Sequence, residues 1–144
     1  MRNAASKIVS RERLRDLLAG PKRQGRRVVF ANGCFDTLHV GHVRFLEGAR
    51  REAILAEAAR VDLVAALRAV DYVVLFSEHN VEALLEYVRP DVHAKGTDYT
   101  AETVPERAAV LAAGGKVVIA GDPKTHATRD LIRTIVERFG RSGR

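Results

Sequence analysis

Val28-Val29-Phe30-Ala31-Asn32-Gly33-Cys34-Phe35-Asp36-Thr37-Leu38-His39-Val40-Gly41-His42 is the stretch on which the fold turns. Its first four residues are apolar and uncharged, which suits a short strand buried on both faces. Asn32-Gly33 breaks that run. From about residue 38 to residue 69 the pattern is helical, rich in Ala, Leu, Arg and Glu, and divides into two helices. A strand, a glycine turn and the first turn of a helix therefore follow one another directly. Backbone N–H groups at a helix start, together with the positive end of its dipole, favour a bound phosphate. His39 and His42 stand three residues apart, so a helix carries both imidazoles on one side. Gly41 between them removes a side chain and lets a ligand approach the backbone closely. A His-x-x-His pair also has metal-chelating spacing, but Cys34 is the only thiol and no H-E-x-x-H occurs, so a zinc site lacks further ligands and a base. A third reading has one of the two histidines merely capping or packing.

The flanking sequence extends the same alternation. Upstream, Ser10 caps a helix expected over 11–19, with Leu14, Leu17 and Leu18 on one face and Gly20-Pro21 as its stop. Downstream, 72–76 reads as a second buried strand and 81–88 as a helix ended by Arg89-Pro90. A third strand is expected over 91–95, closed by Gly96-Thr97-Asp98, and then a helix over 104–112 stopped by Gly114-Gly115. A fourth strand spans 116–120, Gly121-Asp122-Pro123 turns the chain, and 128–139 is the last helix. Short apolar strands alternating with helices predict a doubly wound α/β fold, a parallel sheet covered on both faces. Such sheets bind ligands beyond the carboxyl ends of their strands.

Composition narrows the functional classes. With 144 residues, 47% of them hydrophobic and 29% charged, the chain suits a single globular domain. No apolar run approaches the ~18–20 residues of a membrane span, and charges interrupt every stretch near the N-terminus that resembles a signal peptide. One cysteine permits no internal disulfide. A cytoplasmic protein without a membrane partner is expected. The net charge of +6 is unevenly spread: residues 1–27 hold nine Lys/Arg against two acids, so 28–144 sum to −1. A basic arm of this kind suits nucleic acid. Yet the chain has no Trp and only 6% aromatic residues, few platforms for stacking bases. The arm is read as a solvated helix and linker, with no nucleic-acid partner.

Phe35-Asp36-x-Leu38-His39-x-Gly41-His42 resembles the signature of the nucleotidyltransferase superfamily with the H-x-G-H motif, the cytidylyltransferase-like group. Asn32-Gly33-Cys34-Phe35-Asp36, Leu67-Arg68-Ala69-Val70-Asp71-Tyr72-Val73-Val74, Arg89-Pro90-Asp91-Val92 and Lys95-Gly96-x-Asp98-Tyr99 are most similar to the adenylyltransferase domain of ADP-heptose synthase. The resemblance implies a Rossmann-like, three-layer α/β/α fold over 28–144, with 1–27 as an N-terminal helix and basic linker. It implies transfer of a nucleotidyl group from an NTP, ATP favoured, to a sugar phosphate such as heptose 1-phosphate. His39 and His42 are the implied catalytic pair. Asn32, Gly33, Cys34, Phe35, Gly41, Arg60, Lys95, Gly96, Asp98, Thr128 and Arg129 are the implied nucleotide-binding residues, Cys34 as a small packing residue and not a nucleophile. Asp98 equally suits capping of the 97–100 turn, and Thr128 with Asp130 suits ordinary helix-start chemistry. The implied partners are the NTP, with Mg²⁺ carried on its phosphates, and a small phosphorylated acceptor; a homodimer is the expected assembly, and no protein-bound metal is expected.

Two departures from the family pattern stand out. His126-Ala127-Thr128-Arg129 replaces a Ser/Thr-rich turn before the last helix, exchanging a hydroxyl for a guanidinium. Around Glu52-Ala53 the chain runs from helix to helix where the family inserts a strand and a polar loop, so a sheet short of one inner strand is expected. The alternatives within reach are a cytidylyltransferase acting on glycerol phosphate or a phosphonate, and a nucleotide-binding module without catalysis.

Overall fold

Three of the apolar runs lie side by side. In a computed structural model, which describes residues 3–33, 35, 56–121 and 128–139 (backbone alone at 21–23, 128–132 and 139), they form a parallel sheet. The strands are β1 (Val29–Ala31), β2 (Val92–Lys95) and β3 (Lys116–Ile119), in the order β1-β2-β3. Ala31 is level with Ala94 and Lys95 with Ile119, so the strands end together on one edge of the sheet. Asp91 ties their other ends. Its carboxylate accepts from Val28 N–H at 2.6 Å, its N–H donates to the Val28 carbonyl, and its carbonyl accepts from Lys116 N–H at 3.0 Å.

The helices are α1 (Arg11–Arg23), α2 (Glu57–Ala66), α3 (Glu82–Val88), α4 (Arg107–Ala112) and α5 (Thr128–Phe139), preceded by a 3-10 turn at Ala4–Lys7. Leu14 of α1, Val81, Leu84, Leu85 and Val88 of the α3 region and Val110 of α4 form one buried cluster. Phe30 of β1 and Val117 of β3 pack against it, so the helices seat on the sheet through these side chains. Burying a leucine of this kind contributes about 1.5–3 kcal/mol. Gly114, at φ 86°, ends α4 in a conformation open to glycine at little cost, and a Cβ at Gly115 would collide with the Pro90 carbonyl.

The strand expected to be buried on both faces is not: Val29 of β1 is 64% exposed. Two expectations about the course of the chain also need correction. The first helix does not stop at Gly20-Pro21 but runs on to Arg23. Proline forfeits its own N–H bond, yet Gln24 N–H still reaches the Gly20 carbonyl at 3.1 Å and closes the final turn. The second correction concerns 72–76, which is not a sheet strand. Among the described residues only Val73 pairs, in an isolated parallel bridge to Ile8, with Val73 N–H donating to the Lys7 carbonyl and Val9 N–H to the Val73 carbonyl. Tyr72, Val74 and Phe76 pack on the core while Leu75 is 52% exposed, so the run is apolar on both sides but buried on one. Among the described residues no strand joins the second edge of β1, where Val29 is 64% exposed. The parallel strands and their helices make the chain a small α/β fold of the Rossmann-like kind. No helix among the described residues is long and apolar enough to cross a membrane.

Candidate functional site

The common edge where β1 and β2 end gathers a buried polar cluster. Alternation along β2 puts His93 and Lys95 on one face, and both are buried. His93 is wholly inaccessible to solvent. Its Nε2 lies 2.9 Å from Oδ1 of Asn32, the residue that follows β1. The ring of Phe30, level with His93 in the register, packs at 5.8 Å between centroids.

Burial pushes the His93 imidazole down to about 4 from its ordinary 6.5; the charge of Lys95 adds to the depression and Glu106 opposes it. The ring is therefore neutral near pH 7. The unfolded chain takes up this proton near pH 6.5 and the folded chain only near 4. Stability from this group is thus complete above about pH 6.5, and acidification toward 4 removes it, about 3 kcal/mol over the full window. Urea unfolding at several pH values between 4 and 7 measures this slope, and His93→Leu is expected to flatten it. An unchanged slope in that variant would assign the acid sensitivity to other groups.

Lys95 closes β2, its carbonyl accepting from Ala120 N–H at 2.8 Å. Its ammonium donates to Glu106 Oε1 at 3.0 Å, with side-chain exposures of 7% for Lys95 and 13% for Glu106. It also lies 5.5 Å from the centre of the Tyr99 ring. Glu106 Oε2 is buried without a hydrogen-bond partner among the described residues. Gly96 is buried next to Lys95, and the turn after it is closed by Tyr99 N–H to the Gly96 carbonyl at 3.1 Å. Asp98 is exposed on that turn.

Of the site residues expected from sequence, the structure joins Asn32 and Lys95 through one buried cluster, with Gly33 half-buried beside Asn32 and Gly96 beside Lys95. Phe35, also half-buried, has φ 49°, a left-handed backbone that L residues rarely adopt. Arg60 lies in the first half of α2, whose described contacts are with the 3-10 turn at the N-terminus. Thr128 and Arg129 open α5, their side chains outside the description. Cys34, His39, Gly41 and His42 lie outside the described residues. His93 and Glu106 were not foreseen. His93 was visible as a titratable residue two positions before Lys95 in an apolar strand; Glu106 left no spacing signal. No group of three or more potential metal ligands occurs among the described residues.

No protein-family model matches the chain. It is similar to bifunctional protein HldE from Syntrophotalea carbinolica, 38% identical over 93% of this chain and 32% of that protein. The HldE of Geobacter sulfurreducens is 34% identical over 94% of the chain and 32% of its own length. The chain thus spans about a third of the curated relatives it matches. A match over 93% of the chain leaves about ten residues outside it, so the 32–42 segment falls within. The matched 93% is about 134 residues, and about 22 of the 156 aligned positions therefore have no counterpart here. In fold, the chain is similar to the lipopolysaccharide core biosynthesis protein from Thermoplasma volcanium, with a TM-score of 0.55 at 24% identity, over 67% of this chain and 97% of that one. On these relationships the chain is a homologue of the HldE proteins over about one third of their length.

Proposed function

We propose that the chain is a nucleotidyltransferase that moves an NMP group from an NTP, with ATP favoured, onto a sugar phosphate of the heptose 1-phosphate type. The observation that carries this reading is the similarity to HldE across 93% of the chain, through a segment holding the H-x-G-H sequence His39-Val40-Gly41-His42. A phosphate oxygen of the acceptor attacks the α-phosphorus in line, a new P–O bond forms, and pyrophosphate leaves with the electrons of the bond that breaks. A phosphate monoester with a second pKa near about 6 is largely ionised at neutral pH, so the attack needs no general base. The chain's own contribution is positioning and charge stabilisation. His39 and His42 donate to the phosphates, Lys95 adds a fixed positive charge at the strand ends, and Asn32 adds a carboxamide. Mg²⁺ enters on the triphosphate as part of the substrate. Such substrates, and a lone cysteine, fit a cytoplasmic setting.

Pyrophosphate release, with ATP and CTP each crossed against heptose 1-phosphate, glycerol 3-phosphate and a phosphonate, tests the proposal. The expected result is release with ATP and heptose 1-phosphate. Release with CTP and glycerol phosphate alone would move the protein to the cytidylyltransferases. The positions missing relative to HldE favour one second reading, a nucleotide-binding module that does not catalyse. Nucleotide affinity without pyrophosphate release in any combination would support that reading and overturn the first.

A further inference from the structure

We propose that His93 is a positioning residue that acts through Asn32, holding the carboxamide oxygen so that the carboxamide nitrogen is kept for the nucleotide. The inference rests on the nucleotide-binding reading above and adds to it a residue that never meets the ligand. Phe30 and Asn32 fall two apart, so the backbone leaving β1 carries both toward the face His93 occupies on β2. The contacts agree: one ring packs on Phe30 and bonds Asn32.

The chemistry of the contact sets the direction of the bond. A neutral imidazole has one N–H, and a carboxamide oxygen only accepts. The proton must therefore sit on Nε2, 2.9 Å from Asn32 Oδ1. Nδ1 has no partner among the described residues, which suits a ring nitrogen carrying a lone pair and would penalise a buried N–H. The terminal torsion of asparagine is close to two-fold, so its oxygen and nitrogen exchange places at little intrinsic cost. His93 removes that degeneracy. With Oδ1 engaged, both N–H donors on Nδ2 remain, and neither bonds any described residue. A flipped carboxamide would instead aim its oxygen at an anionic phosphate.

The test is a mutant cycle read by titration of the full chain with ATP and with CTP. His93→Leu is expected to weaken nucleotide affinity about three- to ten-fold, the factor that one neutral hydrogen bond represents. In turnover, KM rises by that factor while kcat stays within about two-fold. His93→Gln, whose amide N–H has the reach of Nε2, is expected to recover most of the loss. Asn32→Ala loses affinity to a similar degree, and His93→Leu added to it costs nothing further. Additive losses in the double variant, or wild-type affinity in His93→Leu, would overturn the role of His93 while leaving the nucleotide reading in place. Should His93→Leu not fold, Asn32→Asp decides: it keeps an acceptor for His93 but has no N–H, so it must bind nucleotide no better than Asn32→Ala. Wild-type affinity in Asn32→Asp would refute the proposal. If the unaltered chain binds neither ATP nor CTP, the nucleotide reading itself falls, and this role with it.

Discussion

Alanine at His39 or at His42 is expected to lower the rate of pyrophosphate release by about 10²–10³, the loss typical of removing one preorganised donor from a charged transition state. The expectation follows from what the residues offer. An imidazole N–H can bond a phosphate oxygen, and the two rings share a side when they stand three apart on a helix. In the proposed transfer, charge grows on the α-phosphoryl oxygens and on the departing pyrophosphate, so donors held in place act mostly on kcat and less on KM. Residues that act as a unit are far from additive, so the double variant should fall little below the worse single one. His79, an exposed histidine outside the strand-end cluster, is the control, and His79→Ala is expected to stay within about two-fold of the unaltered chain. Near-normal turnover in His39→Ala or His42→Ala, with stability unchanged, would remove the assigned catalytic pair.

The sheet was legible from local apolar content between turn signals and not from burial, since Val29 of β1 is 64% and Val118 of β3 37% exposed. Val29, Phe30 and Ala31, then Val92 to Lys95, then Lys116 to Ile119 each form the strand their apolar content predicts, and the last helix runs from Thr128 to Phe139 as read. Pattern failed at 72–76 because an apolar run states preference for burial and not for a backbone partner. Val73 finds that partner in residues 7–9, through Ile8, and Leu75 is left toward solvent. Gly20-Pro21 misled for a related reason: one missing N–H costs a helix stability without obliging it to end, since the next turn can still close. In the site, local sequence placed Asn32 and Lys95 at strand ends, where α/β sheets meet ligands. It could not show that His93 joins the one and Glu106 the other, because those contacts link residues 61 and 11 positions apart. Tertiary pairing across such separations leaves no period to read.

Glu106→Leu is expected to destabilise the fold by about 3–5 kcal/mol, because it strands the Lys95 ammonium in a largely buried position with no counter-ion. Lys95→Met leaves the Glu106 carboxylate in the same predicament and is expected to cost about as much. Charges taken out of water forfeit hydration that only the partner returns, so the pair survives as a pair or not at all. The double variant, Lys95→Met with Glu106→Leu, replaces both by apolar groups of similar size and is expected to regain most of the loss. Urea unfolding of the three variants measures the cycle. Simple addition of the two single losses would show that the ion pair is not what holds this edge together. The same double variant separates folding from function. If Lys95 serves only the sheet edge, a refolded double variant should turn over normally. If its positive charge meets phosphate at the end of β2, restored stability brings back neither nucleotide affinity nor pyrophosphate release, and the residual rate falls well below that of the unaltered chain. A stable double variant with full activity would therefore take Lys95 out of the site while leaving His39 and His42 untouched.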